Sequence, residues 1–272
     1  MRILITNDDG VFAPGIRLLA EWAKTLGEVT VVAPKVEQSG MSHAIQFVHP
    51  IEIKKVELME GVTAYSMDST PADCVRFGVI GLGEKFDLIL SGINRGVNVG
   101  ADLVYSGTVG AVFEAARLGV PAIAFSTFPD DQEAAAKHFS TVYDFICEHK
   151  LFEHTPIFNV NIPGNAKAIK VTYQGSPYFS DDFLKQDETT YVQVGHKIDD
   201  IKPDDLDRDT VAIHTGYISV TPLLPTRTDM RAFTAHRGAE RIFEMSDSER
   251  IAFYSNRAFV KYKGAFEELA KN

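Results

Sequence analysis

The chain has 272 residues, of which 45% are hydrophobic and 24% are charged, and its formal net charge is −10. This composition is typical of a globular protein with one large domain or two modest ones, and it excludes a fibrous or wholly disordered chain. The acidic balance argues against duplex nucleic acid as a partner, because such binding depends on many lysine and arginine contacts to phosphate. No apolar run reaches the roughly 18 residues of a membrane span. The two cysteines form no disulfide framework, so we expect a cytoplasmic protein.

Strands and helices alternate through the first half of the chain. Residues 2–6 (RILIT) predict a first strand, and a helix with apolar residues at helical spacing follows over 14–26. Further strands are predicted at 28–33, 63–67, 87–91 and 121–126, and further helices at 70–80, 108–118 and 131–148. Because strands that are apolar on both faces alternate with helices, the sequence predicts an α/β fold with a three-layer, Rossmann-like, mostly parallel sheet.

The second half of the chain changes character after about residue 150. Strands are predicted at 157–162, 169–174, 191–194 and 211–220, without regular helices between them. Acidic residues outnumber basic ones over 181–210, which favours a solvated, projecting hairpin. We therefore predict a β-rich C-terminal part with a projecting arm. The predicted domain limits are 1–224 for the α/β domain, with an acidic hairpin or arm at 176–212, and 225–272 for a helical C-terminal extension.

Polar loops follow several of the predicted strands. Asn7–Gly10 follows the first strand, residues 38–43 follow the second, and residues 92–100 follow the strand at 87–91. Residues 105–108 directly precede a helix. In an open parallel sheet, ligands bind outside the carboxyl ends of the strands. We therefore expect acids, amides, hydroxyls and glycines from these loops to meet at one edge of the sheet.

Two adjacent carboxylates, Asp8 and Asp9, stand in the first of these loops. Like charges a few ångströms apart oppose joint ionisation, and a divalent cation removes that penalty. Together with the Ser39 hydroxyl and the Asn94 carbonyl they make an all-oxygen set, which suits Mg²⁺ or Mn²⁺. The alternative is that Asp8 and Asp9 form a turn and cap the helix near Pro14.

The start of the helix at 108 is a candidate anion site. Backbone N–H groups at a helix N-terminus, here Gly107 and Thr108, point at an anion that the helix dipole also favours. The hydroxyls of Ser106 and Thr108 add donors, and Asn98 lies in a glycine-rich loop that permits close approach. The alternative is an ordinary threonine cap with loop glycines. The glycine spacing matches neither a dinucleotide fingerprint nor a P-loop.

Four other residues lie near these loops, and two of them, His43 and Arg95, have both a functional and a structural interpretation. His43 is close enough in sequence to Ser39 to reach the site, although a lone histidine is more often structural. Arg95 suits either a phosphate contact or an ion pair that fixes its loop. Asp73 is predicted to belong to a capping box, and Cys74 to the core.

Five motifs in a fixed order resemble those of the SurE family (survival protein E). They are NDDG at 7–10, QSG at 38–40, STPADC at 69–74, SGINRGVNVG at 91–100 and YSGTVGA at 105–111. The strand YISVTPL at 217–223 also resembles a later strand of the family. One departure is Ser69, since the family has glycine before Thr-Pro-Ala-Asp. Family members are metal-dependent nucleotidases that act on nucleoside monophosphates.

The resemblance implies a SurE-like phosphatase domain over 1–224 and a role for individual residues. It implies that one divalent metal ion per subunit, Mg²⁺ or Mn²⁺, is bound and that Asp8 and Asp9 are catalytic. The implied metal ligands are Asp8, Asp9, Ser39 and Asn94, and the implied phosphate-binding residues are Asn98, Ser106, Gly107 and Thr108. Family members form dimers or tetramers partly through C-terminal arms, which implies a homodimer or homotetramer through the C-terminal half.

The resulting prediction is a phosphoric monoester hydrolase, a 5′-nucleotidase that converts nucleoside monophosphates to nucleoside and phosphate. Hydrolysis of 3′-nucleotides and polyphosphate stays open. One alternative is a receiver-like phosphoacceptor module, which also places paired acids after its first strand. That class needs a lysine after its fifth strand, whereas residues 127–129 here are Thr-Phe-Pro. The other alternative is a non-catalytic nucleotide-binding protein with the same site residues.

Overall fold

A computed structural model of the chain describes residues 1–198 and 205–236. Nine strands form the main sheet: β1 (Arg2–Thr6), β2 (Glu28–Pro34), β3 (Ile53–Val56), β4 (Thr63–Met67), β5 (Leu88–Arg95), β6 (Ala122–Thr127), β7 (Ile157–Asn161), β8 (Ala168–Val171) and β11 (Tyr217–Leu223). Their order across the sheet is β3-β4-β2-β1-β5-β6-β7-β11-β8. Neighbouring strands run parallel from β4 to β7, whereas β3 and β11 run antiparallel to β4 and β7. Two further strands, β9 (Phe179–Lys185) and β10 (Tyr191–Lys197), form a separate antiparallel hairpin.

The described helices connect these strands. They are α1 (Pro14–Ala23), α2 (Pro71–Arg76), α3 (Gly107–Arg117), α4 (Gln132–Ala136), α5 (Phe139–Glu148), α6 (Asp209–His214) and α7 (Met230–His236). A π-helical turn, Phe77–Gly81, extends α2, and a 3₁₀ helix, Gly100–Tyr105, leads into α3. Crossover helices between parallel strands place a helical layer on each face of the sheet.

The two faces of the sheet bury separate apolar clusters. Ile3 and Ile5 of β1 pack in the cluster that contains Leu19 of α1. Leu4, which lies between them in sequence, belongs to the cluster that contains Val109 of α3. Successive side chains of a strand point to opposite faces, so β1 contributes to both cores. The predicted three-layer α/β fold with a mostly parallel sheet is confirmed.

The chain divides into two compact units, of which the first is Met1–Pro225. The second begins at Thr226, and α7 is its described helix. The hairpin of β9 and β10 lies inside the stretch 176–212 that the sequence assigns to an acidic arm. Most of the predicted helical extension, residues 237–272, lies outside the described residues, and so does 199–204.

The strand predicted over 211–220 is wrong in its first part, because residues Asp209–His214 form α6 and β11 begins only at Tyr217. The buried carboxylate of Asp209 accepts N–H bonds from Thr210 (2.7 Å), Gly100 (2.9 Å) and Gly175 (2.8 Å). This carboxylate satisfies one of the donors that the start of a helix leaves unpaired. The apolar run that follows therefore packs as one buried turn of helix rather than as a strand.

Four other differences concern lengths and edges. The helix predicted over 131–148 is two helices, α4 and α5, and the helix predicted over 70–80 changes to a π-helical turn at Phe77. Strand β3 was not predicted, because it is an antiparallel edge strand with two exposed lysines. Strand β9 was also not predicted, because it is exposed along its whole length and carries two acids.

Candidate active site

A cavity of about 780 Å³ lies at the carboxyl ends of β1 and β5. Six of the eight predicted site residues line it, namely Asp8, Asp9, Ser39, Asn94, Asn98 and Ser106. The other two, Gly107 and Thr108, lie behind Asp8 in the first turn of α3. The edge of the sheet where the polar loops were expected to meet is therefore a concave surface.

The turn after β1 holds the two carboxylates in place. The Asn7 amide donates to the Gly10 carbonyl (2.9 Å) and accepts the Gly10 N–H (3.2 Å). Gly10 has a φ of +103°, a conformation that strongly favours glycine. The N–H of Gln38 donates to the backbone carbonyl of Asp8 (2.7 Å), which ties this turn to the loop that carries Ser39.

Asp8 is fixed by the first turn of α3. The Thr108 hydroxyl donates to Asp8 Oδ1 (2.5 Å) and the Thr108 N–H donates to Oδ2 (3.2 Å). Thr108 is fully buried, and its hydroxyl donates to Asp8. A Cβ atom on Gly107 would lie only 3.1 Å from the Asp8 Cβ and 3.3 Å from the Pro71 ring. Glycine at position 107 therefore lets the helix approach the carboxylate closely.

The cavity raises the pKa of both carboxyls. Burial raises the pKa of Asp8 to about 6, and the negative charge of Asp9 adds to this, while the hydrogen bonds from Thr108 act against it. Burial also raises the pKa of Asp9, against the Arg95 N–H that donates to its Oδ2 (3.2 Å). The two carboxylates therefore lack sufficient compensating positive charge, which is the condition that a bound cation relieves.

The available donors are oxygen atoms of mixed type. The Ser39 hydroxyl donates to Glu37 Oε1 (2.5 Å), and the Asn94 Nδ2 donates to the Gly96 carbonyl (2.7 Å). Oδ1 is therefore the Asn94 atom that could face a cation. Within residues 1–198 and 205–236, no three His, Cys, Asp or Glu side chains group as a metal site. Two carboxylates with a hydroxyl and an amide oxygen fit a hard cation such as Mg²⁺ or Mn²⁺.

Ser106 is the N-cap of α3. Its Oγ accepts the Val109 N–H (3.1 Å), and this leaves the hydroxyl proton to donate to another group. Ser106 is 8% exposed and lines the cavity beside the buried carboxylates. A helix N-terminus with a hydroxyl donor is a suitable site for a phosphate group.

Asn98 is held by a network of buried polar side chains. Its N–H donates to Asn161 Oδ1 (2.8 Å), and its carbonyl accepts from Asn159 Nδ2 (2.7 Å) and Asn161 Nδ2 (2.9 Å). Its own Nδ2 donates to Ser126 Oγ (2.8 Å). Sequence reasoning missed Asn159 and Asn161. The signal was two asparagines at alternate positions of the otherwise apolar strand β7, at the carboxyl end of the sheet.

The structure places the four other residues that lie near the predicted loops. His43 pairs with the buried Glu114 (Nε2 to Oε2, 2.8 Å) and is not among the cavity residues, so its role is structural. Arg95 does line the cavity. Asp73 donates its own N–H to the Thr70 cap (3.2 Å), which is one half of the predicted capping box, while its carboxylate accepts the Gln46 N–H (2.7 Å) and the Ser69 hydroxyl (2.6 Å). Cys74 is fully buried in the core.

The fold and the cavity together define a three-layer α/β protein in which a buried carboxylate, Asp8, and a half-buried one, Asp9, lie at a helix N-terminus. A model of the family "Survival protein SurE" matches residues 3–181. The 5′-nucleotidase SurE of Thermoanaerobacter sp. (strain X514) is 40% identical over 233 residues, covering 82% of this chain and 92% of that protein. The 5′-nucleotidase SurE of Legionella pneumophila (strain Philadelphia 1) is 38% identical over 246 residues, covering 86% and 94%.

The crystal structure of the SurE protein from Aquifex aeolicus superimposes on this chain with a TM-score of 0.76 at 35% identity. That match covers 89% of this chain and all of the other. The chain belongs to the SurE family. No helix in the described part of the chain is long and apolar enough to cross a membrane.

Proposed function

We propose that this chain is a divalent-metal-dependent phosphatase that hydrolyses nucleoside monophosphates to nucleoside and phosphate. The observation that supports this function is that the adjacent carboxylates Asp8 and Asp9 meet the N-terminus of α3 in one cavity. The carboxylates favour a cation and the helix N-terminus favours an anion, and a metal-assisted phosphate site needs both. The reaction named for the related proteins, that of a 5′-nucleotidase, supports the same conclusion.

Asp8 and Asp9 are the proposed catalytic residues and, with Ser39 and Asn94, the proposed ligands of one Mg²⁺ or Mn²⁺ per subunit. When bound, such an ion lowers the pKa of a water molecule and neutralises charge on a phosphate oxygen. Asp9 Oδ2 accepts the Arg95 N–H. Asp9 Oδ1 is therefore available to a cation, and either Asp8 or Asp9 would take the proton of the attacking water.

The phosphate group is assigned to the opposite side of the cavity. Asn98 would donate a side-chain N–H and Ser106 its hydroxyl, while Gly107 contributes the unpaired N–H of the first helical turn. Thr108 reaches Asp8 with both its hydroxyl and its N–H. It therefore couples the position of the carboxylate to the position of the phosphate site.

The test measures phosphate release from 5′- and 3′-nucleoside monophosphates and from polyphosphate, with Mg²⁺, Mn²⁺ or EDTA. We expect release with metal and none with EDTA. Asp8→Asn should lower the rate by about 10³-fold or more. Asp144→Asn, at an exposed position on α5, is the matched control and should leave the rate unchanged. Full activity of Asp8→Asn, or no release from folded protein with any metal, would contradict the proposal.

Stability provides a second measurement on the same variant. The folded state raises the pKa of Asp8 above its unfolded value, so ionisation of Asp8 weakens the metal-free fold as pH rises above about 4. Asp8→Asn removes this charge and should increase the free energy of unfolding of the metal-free protein at pH 7. Loss of turnover together with a gain in stability separates a catalytic role from a structural one.

Two alternatives have distinct outcomes in this test. Folded protein that binds a nucleotide without releasing phosphate would be a non-catalytic nucleotide-binding protein. A receiver-like phosphoacceptor has less support, because Phe128 and Pro129 follow β6 where that class has a lysine.

We further propose a cytoplasmic homodimer or homotetramer that assembles through the C-terminal half. The hairpin carries exposed apolar side chains on both faces. Phe183 (67% exposed) and Tyr191 (53%) lie on one face, and Leu184 (56%) and Val192 (39%) lie on the other. A second copy that covers these faces would stabilise an otherwise isolated hairpin. The free thiols of Cys74 and Cys147 suit a reducing compartment.

A further inference from the structure

We infer that the outer part of the cavity binds the nucleobase of the substrate, with Phe179 as the stacking residue and Asp102 as the residue that positions it. This inference rests on the proposed nucleotidase function. It concerns the nucleobase, which the phosphate-binding residues do not contact. It assigns roles to Phe179 and Asp102, which take no part in the proposed chemistry at Asp8.

The cavity is larger than a phosphate group requires. Its volume of about 780 Å³ lies within the roughly 300–1,000 Å³ that is typical of pockets for drug-sized ligands. Three aromatic residues line it, Tyr105, Tyr178 and Phe179. Tyr105 and Phe179 have 58% and 41% of their surface exposed, whereas Tyr178 is buried. Tyr105 directly precedes the phosphate-site residue Ser106, so the aromatic wall is continuous with the phosphate site.

Asp102 joins this wall to the start of the hairpin. Its Oδ2 accepts the N–H of Tyr178 (2.6 Å) and the N–H of Phe179 (2.8 Å). Asp102 lies in the 3₁₀ helix that also carries Tyr105. Hydrogen bonds from backbone N–H groups to an ionised carboxylate are among the stronger ones in proteins. The backbone of Phe179 is therefore fixed relative to the cavity wall, although the hairpin itself projects into solvent.

The ring of Phe179 also has a rigid neighbour. Tyr178 is 4% exposed, and its ring meets that of Phe179 edge to face at 4.8 Å between centroids. The Tyr178 hydroxyl lies 2.9 Å from His214 Nε2, and the two rings stack at 5.3 Å. A ring held in this way loses little freedom when a ligand stacks on it, and this favours binding.

A nucleobase is the ligand that matches this surface. Every base has a flat π face, and stacking on an aromatic side chain tolerates differences between bases. Asp102 Oδ2 holds the backbone of Phe179, and the exposed ring of Phe179 offers the stacking contact. The expected preference is for phosphate esters that carry a base over those that carry only a sugar.

The experiment compares kcat/KM for AMP and for ribose 5-phosphate, which lacks the base, in the intact protein with the activating metal. We expect the wild type to prefer AMP. In Phe179→Ala the ratio of kcat/KM for AMP to that for ribose 5-phosphate should fall about tenfold, mainly through a higher KM for AMP. Phe179→Trp should retain the preference. Phe47→Ala removes an exposed phenylalanine outside the cavity and is the matched control.

Asp102 is tested through the same ratio. Asp102→Ala removes the acceptor for both N–H groups and should lower the AMP preference, whereas Asp102→Asn keeps a side-chain oxygen and should restore most of it. If Asp102 had a merely structural role, its loss would lower kcat/KM equally for AMP and for ribose 5-phosphate, and the ratio of the two would not change.

The outcomes separate the two proposals. Equal kcat/KM for both substrates in the wild type, or an unchanged ratio in Phe179→Ala, would overturn the base subsite and leave the phosphatase proposal standing. If neither ester is hydrolysed, the phosphatase proposal fails. The subsite is then decided by calorimetry, because unchanged AMP affinity in Phe179→Ala would overturn it and about tenfold weaker affinity would support it.

Discussion

Glu114 on α3 is a carboxylate with 2% side-chain exposure that is surrounded by basic side chains. Arg76 Nη1 (2.9 Å) and Arg117 Nη2 (2.6 Å) donate to its Oε1, and His43 Nε2 lies 2.8 Å from its Oε2. Burial would raise the pKa of this carboxyl, but the hydrogen bonds from these three bases outweigh burial and lower the pKa to about 2. The same contacts join α2, α3 and the loop that follows Ser39.

The size of this interaction follows from the pKa. A change from the ordinary 4.5 to about 2 corresponds to at most about 3–4 kcal/mol, at about 1.4 kcal/mol for each pH unit. The side chains of Arg76 and Arg117 are 34% and 51% exposed, so water screens part of their interaction with Glu114. We expect Glu114→Gln to lower the free energy of unfolding at pH 7 by about 1–2 kcal/mol.

The pH dependence has a defined sign. The folded state lowers the pKa, so the stabilisation by Glu114 is complete above about pH 4.5 and is lost as pH falls toward 2. Urea unfolding of wild type and Glu114→Gln between pH 7 and pH 3 should show a difference that shrinks steadily below pH 4.5. Glu148→Gln, at an exposed position on α5, is the control. A difference that is independent of pH, or absent at pH 7, would refute the reasoning.

Two further predictions concern the support of the candidate site. Thr108→Val keeps the side-chain shape but removes the hydroxyl that Asp8 accepts, so the metal concentration for half-maximal activity should rise by about 10-fold or more; Thr141→Val, on the surface, should not change it. Asn161→Ala leaves the Asn98 N–H without its acceptor and should cost about 1–3 kcal/mol in urea unfolding. It should also weaken competitive inhibition by inorganic phosphate, and unchanged inhibition would contradict the role given to Asn98.

The order of elements in the first half of the fold was accessible from the sequence because local signals agree there. Runs such as RILIT and EVTVVA are apolar on both faces, and turn residues bound them. The segment DTVAIH was mistaken for strand because its short apolar run has no period of its own. A tertiary contact decides its structure, namely the Asp209 carboxylate and its hydrogen bonds to Gly100 and Gly175.

The candidate site shows the same division between local and non-local information. Asp8 and Asn98 could be proposed from the sequence, since each stands in a polar loop after a predicted strand. Thr108 was predicted as a phosphate-site residue, but its hydrogen bonds to Asp8 were not, and Asn161 was missed altogether. Both contacts join residues that are far apart in the sequence. The aromatic wall at Phe179 was not accessible either, since it depends on where the hairpin joins the 3₁₀ helix.

The place of β11 in the sheet determines when the protein can be completed during synthesis. Strand β8 leaves the ribosome before β11. Among the described strands β8 pairs only with β11, and β11 lies between β8 and β7. Gly100 and Gly175 are likewise synthesised before Asp209, so their hydrogen bonds to its carboxylate form only later. One wall of the cavity and the far edge of the sheet are therefore finished together, late in translation. A chain released before residue 209 retains β1 and the carboxylate pair but leaves the N–H groups of Gly100 and Gly175 without the Asp209 acceptor.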